Sequence, residues 1–375
     1  MSKSIAIVGP AWPFRGGLAN FDERLARAWT QKGAQVTLHT FTKQYPSFLF
    51  PGTSQFTDKP APSDLQIERT LHAYNPFQWK SAAQRIIAGN YDLALIRFWI
   101  PAMGPSLGYL ANKLVHKTQT HVVALVDNLI PHESRPLDRW LTNQLIRHPH
   151  AFVTMSDTVA KPLRLLAGDR PVCQSPHPLY DDYGPQVDQR DARRKLEIDE
   201  KAKVLLFFGF IRKYKGLDLL LDALSGDWML DSNVKLVVAG EWYDDAAPYK
   251  ALAKKNGLDD HIVWHDRFIA EDDIATFFSS ADAVVQPYRS ATQSGISALA
   301  YAYGKPLIST NVGGLSEMID DGTTGYLCDP NPTSIRDAVN RWMHESDPTA
   351  IRDEIATKRS IMTWDRLIDT IESCQ

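Results

Sequence analysis

Residues able to do chemistry gather at five places in the chain. The densest is Gly209-Phe210-Ile211-Arg212-Lys213-Tyr214-Lys215-Gly216, three cations in one short loop. Arg212 and Lys215 suit a diphosphate through charge-assisted hydrogen bonds; a solvated basic loop is the plain alternative. Arg15-Gly16-Gly17-Leu18 opens a helical pattern. Paired glycines let a ligand approach the backbone, and a helix N-terminus favours an anion, though a tight turn reads the same. Ser290-Ala291-Thr292-Gln293-Ser294-Gly295-Ile296 precedes a second helical run. Its hydroxyls are N-caps by default, and N–H groups at that end can hold a phosphate oxygen. Asn311-Val312-Gly313-Gly314-Leu315-Ser316-Glu317 is another glycine loop, open to a structural reading as a turn. The fifth is Asp127-Asn128-Leu129-Ile130-Pro131-His132-Glu133, where Asp127 and His132 suit acid/base work or contacts to sugar hydroxyls.

Each of these sites follows an apolar run or opens a helical one. Ile5–Val8 reads as a buried strand, and Phe21, Leu25, Ala28 and Trp29 then recur at helical spacing up to Gly33. Val36–His39, Leu93–Ile96, His121–Val126 and Ala151–Thr154 continue the strands. The pattern breaks around Pro176–Arg194 and restarts with Val204–Phe208, the cationic loop and the helix start Leu217–Leu224. Val234–Ala239 and Ala283–Gln286 are later strands. This alternation predicts an α/β protein with mainly parallel sheets. The expected domains are 1–178, a linker at 179–200, 201–358, and a final helix at 359–375 returning towards the first domain. Two doubly wound domains facing across a cleft would bring the loops beyond the strands' carboxyl ends to that cleft. Phe41–Ser63, with Pro46, Pro51, Pro60 and Pro62, is the one long aperiodic loop; it is either functional or a surface excursion.

Composition narrows the classes. The chain has 375 residues, 44% of them hydrophobic, enough for two packed domains. A formal charge of −3 argues against a nucleic-acid partner. Cys173, Cys328 and Cys374 lie far apart with no CxxC, which predicts no disulfide framework, no zinc site and a reducing compartment. The first apolar run is too short for a signal peptide, and no run of about 18 apolar residues marks a membrane span. A cytoplasmic protein is expected. Arg135, Arg139, Arg147 and His148, with Trp140, Leu141 and Leu145, leave open a helix at the inner face of a membrane, although an ordinary amphipathic surface helix is the favoured reading.

Taken together these segments resemble the GT-B glycosyltransferases, and specifically the retaining enzymes of family 4. The motifs are Gly16-Gly17-Leu18; Gly209 through Lys215-Gly216-Leu217; Ser280-Ala281-Asp282-Ala283 to Pro287; Gly304-Lys305-Pro306; Val312-Gly313-Gly314-Leu315-Ser316-Glu317; then Asp321-Gly322, Gly325 and Trp364. The resemblance implies two Rossmann-like domains and metal-independent transfer of a hexosyl unit. The donor would be a nucleotide-diphospho-sugar and the acceptor a hydroxyl of a glycan or lipid-linked molecule. No cofactor is implied. Arg212, Lys215 and Asp127 take the catalytic positions. Gly16, Gly17, Gly209, Gln293, Ser294, Gly295, Ile296 and Glu317 are the donor-binding positions, and Asn128 and His132 lie on the acceptor side. The chain departs from the family at its paired glutamates, which are Ala291 and Leu299 here. A family histidine falls near Asp127, and Phe210 stands where an arginine is usual. The rival reading is a non-catalytic subunit that keeps the fold. A sugar-nucleotide epimerase needs catalytic carboxylates that cannot be assigned here, a pyridoxal-phosphate phosphorylase needs a Schiff-base lysine that cofactor absorbance would reveal, and a dinucleotide oxidoreductase lacks GxGxxG.

Overall fold

A computed structural model describes residues 2–45, 55–129, 137–181, 183–230, 232–292 and 294–374. The chain divides into two compact units, Met1–His177 with Trp364–Gln375, and Pro178–Thr363. The first is built on seven parallel strands: β1 Ser4–Val8, β2 Gln35–Lys43, β3 Gln66–His72, β4 Leu93–Phe98, β5 His121–Val126, β6 Ala151–Thr154 and β7 Val172–Gln174. Their order is β3-β2-β1-β4-β5-β6-β7. The second has β8 Lys203–Phe208, β9 Val234–Ala239, β10 Ile262–His265, β11 Ala283–Gln286, β12 Leu307–Thr310 and β13 Gly325–Cys328, ordered β10-β9-β8-β11-β12-β13. Central strands such as Ile5–Val8 and Leu93–Ile96 are buried on both faces, which is why they read as unbroken apolar runs. In each sheet the strand order reverses beside the first strand, β1 against β4 and β8 against β11. Crevices form beyond the carboxyl ends at such points.

The stretch 179–200, read from its Pro and Asp content as a linker, contains the helix Gln189–Lys195 and clusters with the second unit. Asp188 caps that helix, accepting from the Arg190 and Asp191 N–H groups. Buried Arg193 ties it down through Ser280 O at 3.0 Å and Asp282 at 2.7 Å. The helix Trp364–Ser373 belongs to the first unit, where Leu367, Ile368 and Ile371 are buried. Trp29 Nε1 donates to Glu372 at 2.9 Å, and Lys32 pairs with Asp369 at 2.8 Å.

The cysteine expectation is corrected. Cys173 on β7 and Cys374 form a disulfide, with Cα atoms 6.0 Å apart. The returning helix lies beside β7, and a sequence separation of 201 residues hid the pairing. The bond removes cysteine usage as a reason to place the protein in a reducing compartment. Cys328 is buried and unpaired.

Candidate functional site

In the second unit the residues between β8 and the helix Leu217–Ala223 tighten into a single 3-10 turn, Lys213–Lys215. That turn folds Lys215 inward. The side chain is only 7% exposed, and among the described residues its Nζ donates to Phe208 O at 3.4 Å. No ion pair to a carboxylate is found for it among the described residues. Burial, the largest influence, and the neighbouring Arg212 push its pKa down, while Tyr214 opposes them. A buried ammonium without a counter-charge is costly, and an incoming anion would relieve it. Gly209, in the left-handed region at φ 93°, leaves room for this amine: a Cβ there would stand 2.9 Å from Nζ and 3.5 Å from Ile296 Cδ1. Gly209, Lys215 and Ile296 therefore converge.

Ile296 lies in the first turn of the helix Gly295–Ala302. Ser294 caps this helix, its Oγ accepting from Ile296 N–H at 3.2 Å. Below it, buried Gln286 donates to Ser294 Oγ and accepts from Ser297 Oγ, both at 2.8 Å. Tyr288, its hydroxyl pushed up to about 12 by burial, lies under the ammonium, with Nζ 5.5 Å from the ring centre. Arg289 grips the cationic loop. Its guanidinium bonds both Asp218 oxygens at 2.7 Å and Lys213 O at 2.9 Å, while its N–H reaches Tyr214 O at 2.7 Å. The Gly313-Gly314 turn is pressed against the same floor; a Cβ on Gly313, where φ is 53°, would overlap Ala291 O. Glu317 follows on the exposed 3-10 turn Ser316–Met318.

The structure thus brings Gly209, Lys215, Ser294, Gly295 and Ile296 together. Arg212 stands differently: its guanidinium lies 4.5 Å from the Tyr243 ring, beside the stacked Phe210. Gln293 and His132 lie outside the described residues. Gln286, Tyr288 and Arg289 are the residues that sequence reasoning missed. A glutamine closing the apolar strand Ala283–Gln286 was the one available signal.

The first unit holds the other candidates. Gly16 and Gly17 begin the helix Gly17–Gln31 with no side-chain cap, and open space surrounds both. Asp127 follows β5 but does not stand open as a base. It is 6% exposed, and its two oxygens accept from Arg97 on β4 at 2.5 and 2.8 Å. Arg97 also donates to Asp22 at 2.9 Å and lies 4.0 Å from the Phe21 ring. Two carboxylates share one guanidinium, so Asp127 is held in place by Arg97. Burial first, and repulsion from Asp127, raise Asp22 to about 7, against the pull of Arg97. Asn128 is half-buried, and its Oδ1 has no hydrogen-bond partner. Among the described residues no group of three or more His, Cys, Asp or Glu could hold a metal ion.

Two Rossmann-like units with these switch-point crevices define the GT-B class of fold. HepE of Anabaena, solved with UDP, superposes with a TM-score of 0.74 at 15% identity over 99% of this chain and all of that one. Sucrose-phosphate synthase of Thermosynechococcus elongatus gives 0.72 at 16% identity, over 97% and 96%. Likeness at such identities concerns the fold alone. In sequence, residues 188–359, a little under half of the chain, match the family Glycosyl transferases group 1. A lipopolysaccharide 1,2-N-acetylglucosaminetransferase of Salmonella typhimurium is 37% identical over 41% of this chain and 42% of its own length. A D-inositol 3-phosphate glycosyltransferase of Nocardioides is 28% identical over 69% of this chain. The chain spans 61% of that relative's length.

Proposed function

We infer that the chain is a retaining glycosyltransferase that moves a hexosyl unit from a nucleotide-diphospho-sugar to a hydroxyl of a glycan or glycolipid acceptor. The observation that carries this reading is Lys215, a buried cation with no carboxylate paired to it among the described residues, beside a capped helix N-terminus. The bond from the anomeric carbon to the β-phosphate oxygen breaks as the acceptor oxygen bonds that carbon. The acceptor proton passes to the departing phosphate, so no separate protein base is needed. Lys215, joined by Arg212 swinging from Tyr243, stabilises the charge growing on the leaving group, and the helix dipole at Gly295 adds to it. These cations let the reaction proceed without a metal. Gly16 and Gly17 would contact the donor through backbone N–H groups, and Glu317 its sugar or ribose. Gln293 and Ser294 would serve in place of the missing glutamates. Asn128 and His132 are assigned to the acceptor, and Asp127 to holding the acceptor side in shape. The reaction is assigned to the cytoplasm, with exposed Leu137, Arg139 and Trp140 as the surface for a membrane-borne acceptor. The UDP bound by HepE and the names of the sequence relatives support a nucleotide-sugar donor.

Melting curves and nucleotide release with UDP-, GDP-, ADP- and dTDP-sugars test the reading, with Lys215→Ala and Arg212→Ala as controls. Stabilisation by one nucleotide class, slow release of its diphosphate, and loss of both in the controls are expected. Binding that never yields turnover with any acceptor favours the non-catalytic reading, in which Ala291 and Leu299 mark a lost activity.

A further inference from the structure

The first unit carries a string of aromatic rings across the carboxyl ends of four neighbouring strands. Phe14 follows β1, Phe41 lies in β2, Tyr74 follows β3, and Trp99 follows β4. The inner rings are fixed. Phe14, Phe41 and Trp99 are buried, with ring centres 6.5 Å apart from Phe14 to Phe41 and 5.8 Å from Phe41 to Trp99. Trp99 Nε1 donates to Tyr45 Oη at 2.6 Å. The outer rings stand in solvent: Phe56, 5.3 Å from Phe14, is 42% exposed, and Tyr74 is 39% exposed. Tyr74 and Tyr45 lie near enough to act on each other electrostatically; burial, with that neighbour, raises the Tyr74 hydroxyl to about 12. The Tyr74 phenol therefore remains a neutral donor throughout the physiological range.

Two amide oxygens without hydrogen-bond partners belong to residues next to Tyr45 and Phe56 in the chain. Gln55 donates weakly to Tyr45 O at 3.5 Å and its own carbonyl accepts from Arg15 N–H, yet its Oε1 is buried with no hydrogen bond. Gln44, next to Tyr45, is 6% exposed, and its Oε1 is likewise unpartnered. Buried amide oxygens are nearly always satisfied, so each one left open asks for a donor from elsewhere.

The geometry points to a subsite for an uncharged sugar ring, the acceptor's own glycan, at Phe56, Tyr74, Tyr45 and Gln55. A pyranose offers an apolar C–H face to an aromatic ring and hydroxyl donors at its rim, which are the two chemistries this surface lacks. An alkyl chain would cover the rings but leave both amide oxygens unsatisfied, so a lipid tail fits less well. As the acceptor's place this subsite rests on the transferase reading; as a sugar-binding surface it is testable without it.

Saturation-transfer NMR on the full chain would use the methyl glycosides of glucose, galactose, mannose and N-acetylglucosamine. Dodecylphosphocholine below its micelle concentration serves as the alkyl probe. Transfer to at least one glycoside is expected, with affinity falling roughly tenfold in Tyr74→Ala and in Phe56→Ala, as loss of one ring contact implies. Gln55→Leu should weaken the sugar but not the alkyl probe. Tyr74→Ala leaves the Phe14–Phe56 contact in place, so it reads the subsite even if Phe56→Ala melts early. Transfer to no glycoside, transfer unchanged in the variants, or preference for the alkyl probe would overturn the assignment. UDP binding in the same variants separates the two readings: sugar contact without any nucleotide binding removes the transferase and keeps the subsite.

Discussion

Two buried cations, Arg97 near the end of β4 in the first unit and Lys215 after β8 in the second, are treated in opposite ways. Arg97 in the first unit faces two carboxylates, Asp22 and Asp127, at hydrogen-bond distance. Lys215 in the second has a carbonyl at 3.4 Å. Beside the first cation, burial and then the second carboxylate raise Asp22 to about 7. The second cation is undercompensated, so its own proton is loosened. A buried charge whose partners are all in the protein holds the protein together. One whose partner is missing waits for a ligand.

The sharpest way to break this contrast is Lys215→Ala. Turnover, or release of the nucleoside diphosphate, should drop by about 100- to 1,000-fold, the cost of removing one charge-stabilising group at a transition state. The melting temperature should hold or rise, because an uncompensated buried charge has gone. A large fall in melting temperature would show that Lys215 is structural after all. Arg97→Met should do the reverse. Stranding two buried carboxylates costs about 3–5 kcal/mol, read from the denaturant midpoint, while nucleotide affinity in the second unit changes little.

Asp22 gives a pH test. Its folded pKa, about 7, lies above the ordinary carboxylate value of 3.8, so between these the folded state holds a proton that the unfolded chain has released. Its contribution to stability is full below pH 3.8 and is lost as pH rises through about 7. Asp22→Asn should flatten that decline in urea titrations between pH 5 and about 8. An unchanged slope would mean that Asp22 is ionised throughout. The smallest effect belongs to Arg289→Lys, which keeps the charge but loses the two-pronged hold on Asp218. Inorganic pyrophosphate should bind about tenfold more weakly, with little change in melting temperature. A proportionate loss of stability would reduce Arg289 to an ordinary ion pair.

The contrast was only half legible in the sequence. Lys215 stood out because three cations share a loop between a strand and a helix, and local spacing reports that. The Arg97 cluster was invisible: Asp22, Arg97 and Asp127 come from three separate elements and meet only when β1, β4 and β5 lie side by side. Asp127 alone therefore looked like a candidate base. The buried strands were readable for the opposite reason, since both faces are apolar. The edge strands β3, β7 and β10 were not, because water on one side lets Glu68, Arg69, Gln174 and His265 interrupt the run. The aromatic string escaped notice too, its rings lying far apart in the chain and adjacent only across the sheet.

The return of the helix Trp364–Ser373 to the first unit has a consequence for the order of synthesis. Residues 178–363 leave the ribosome between the two segments that make up that unit. At about 5–20 residues per second they emerge over roughly 10–40 seconds. The second unit is thus complete in sequence while the first still lacks the partners of Trp29, Lys32 and Cys173. Throughout that interval the nascent first unit exposes the apolar bed of Leu367, Ile368 and Ile371, which makes it the portion most in need of a chaperone.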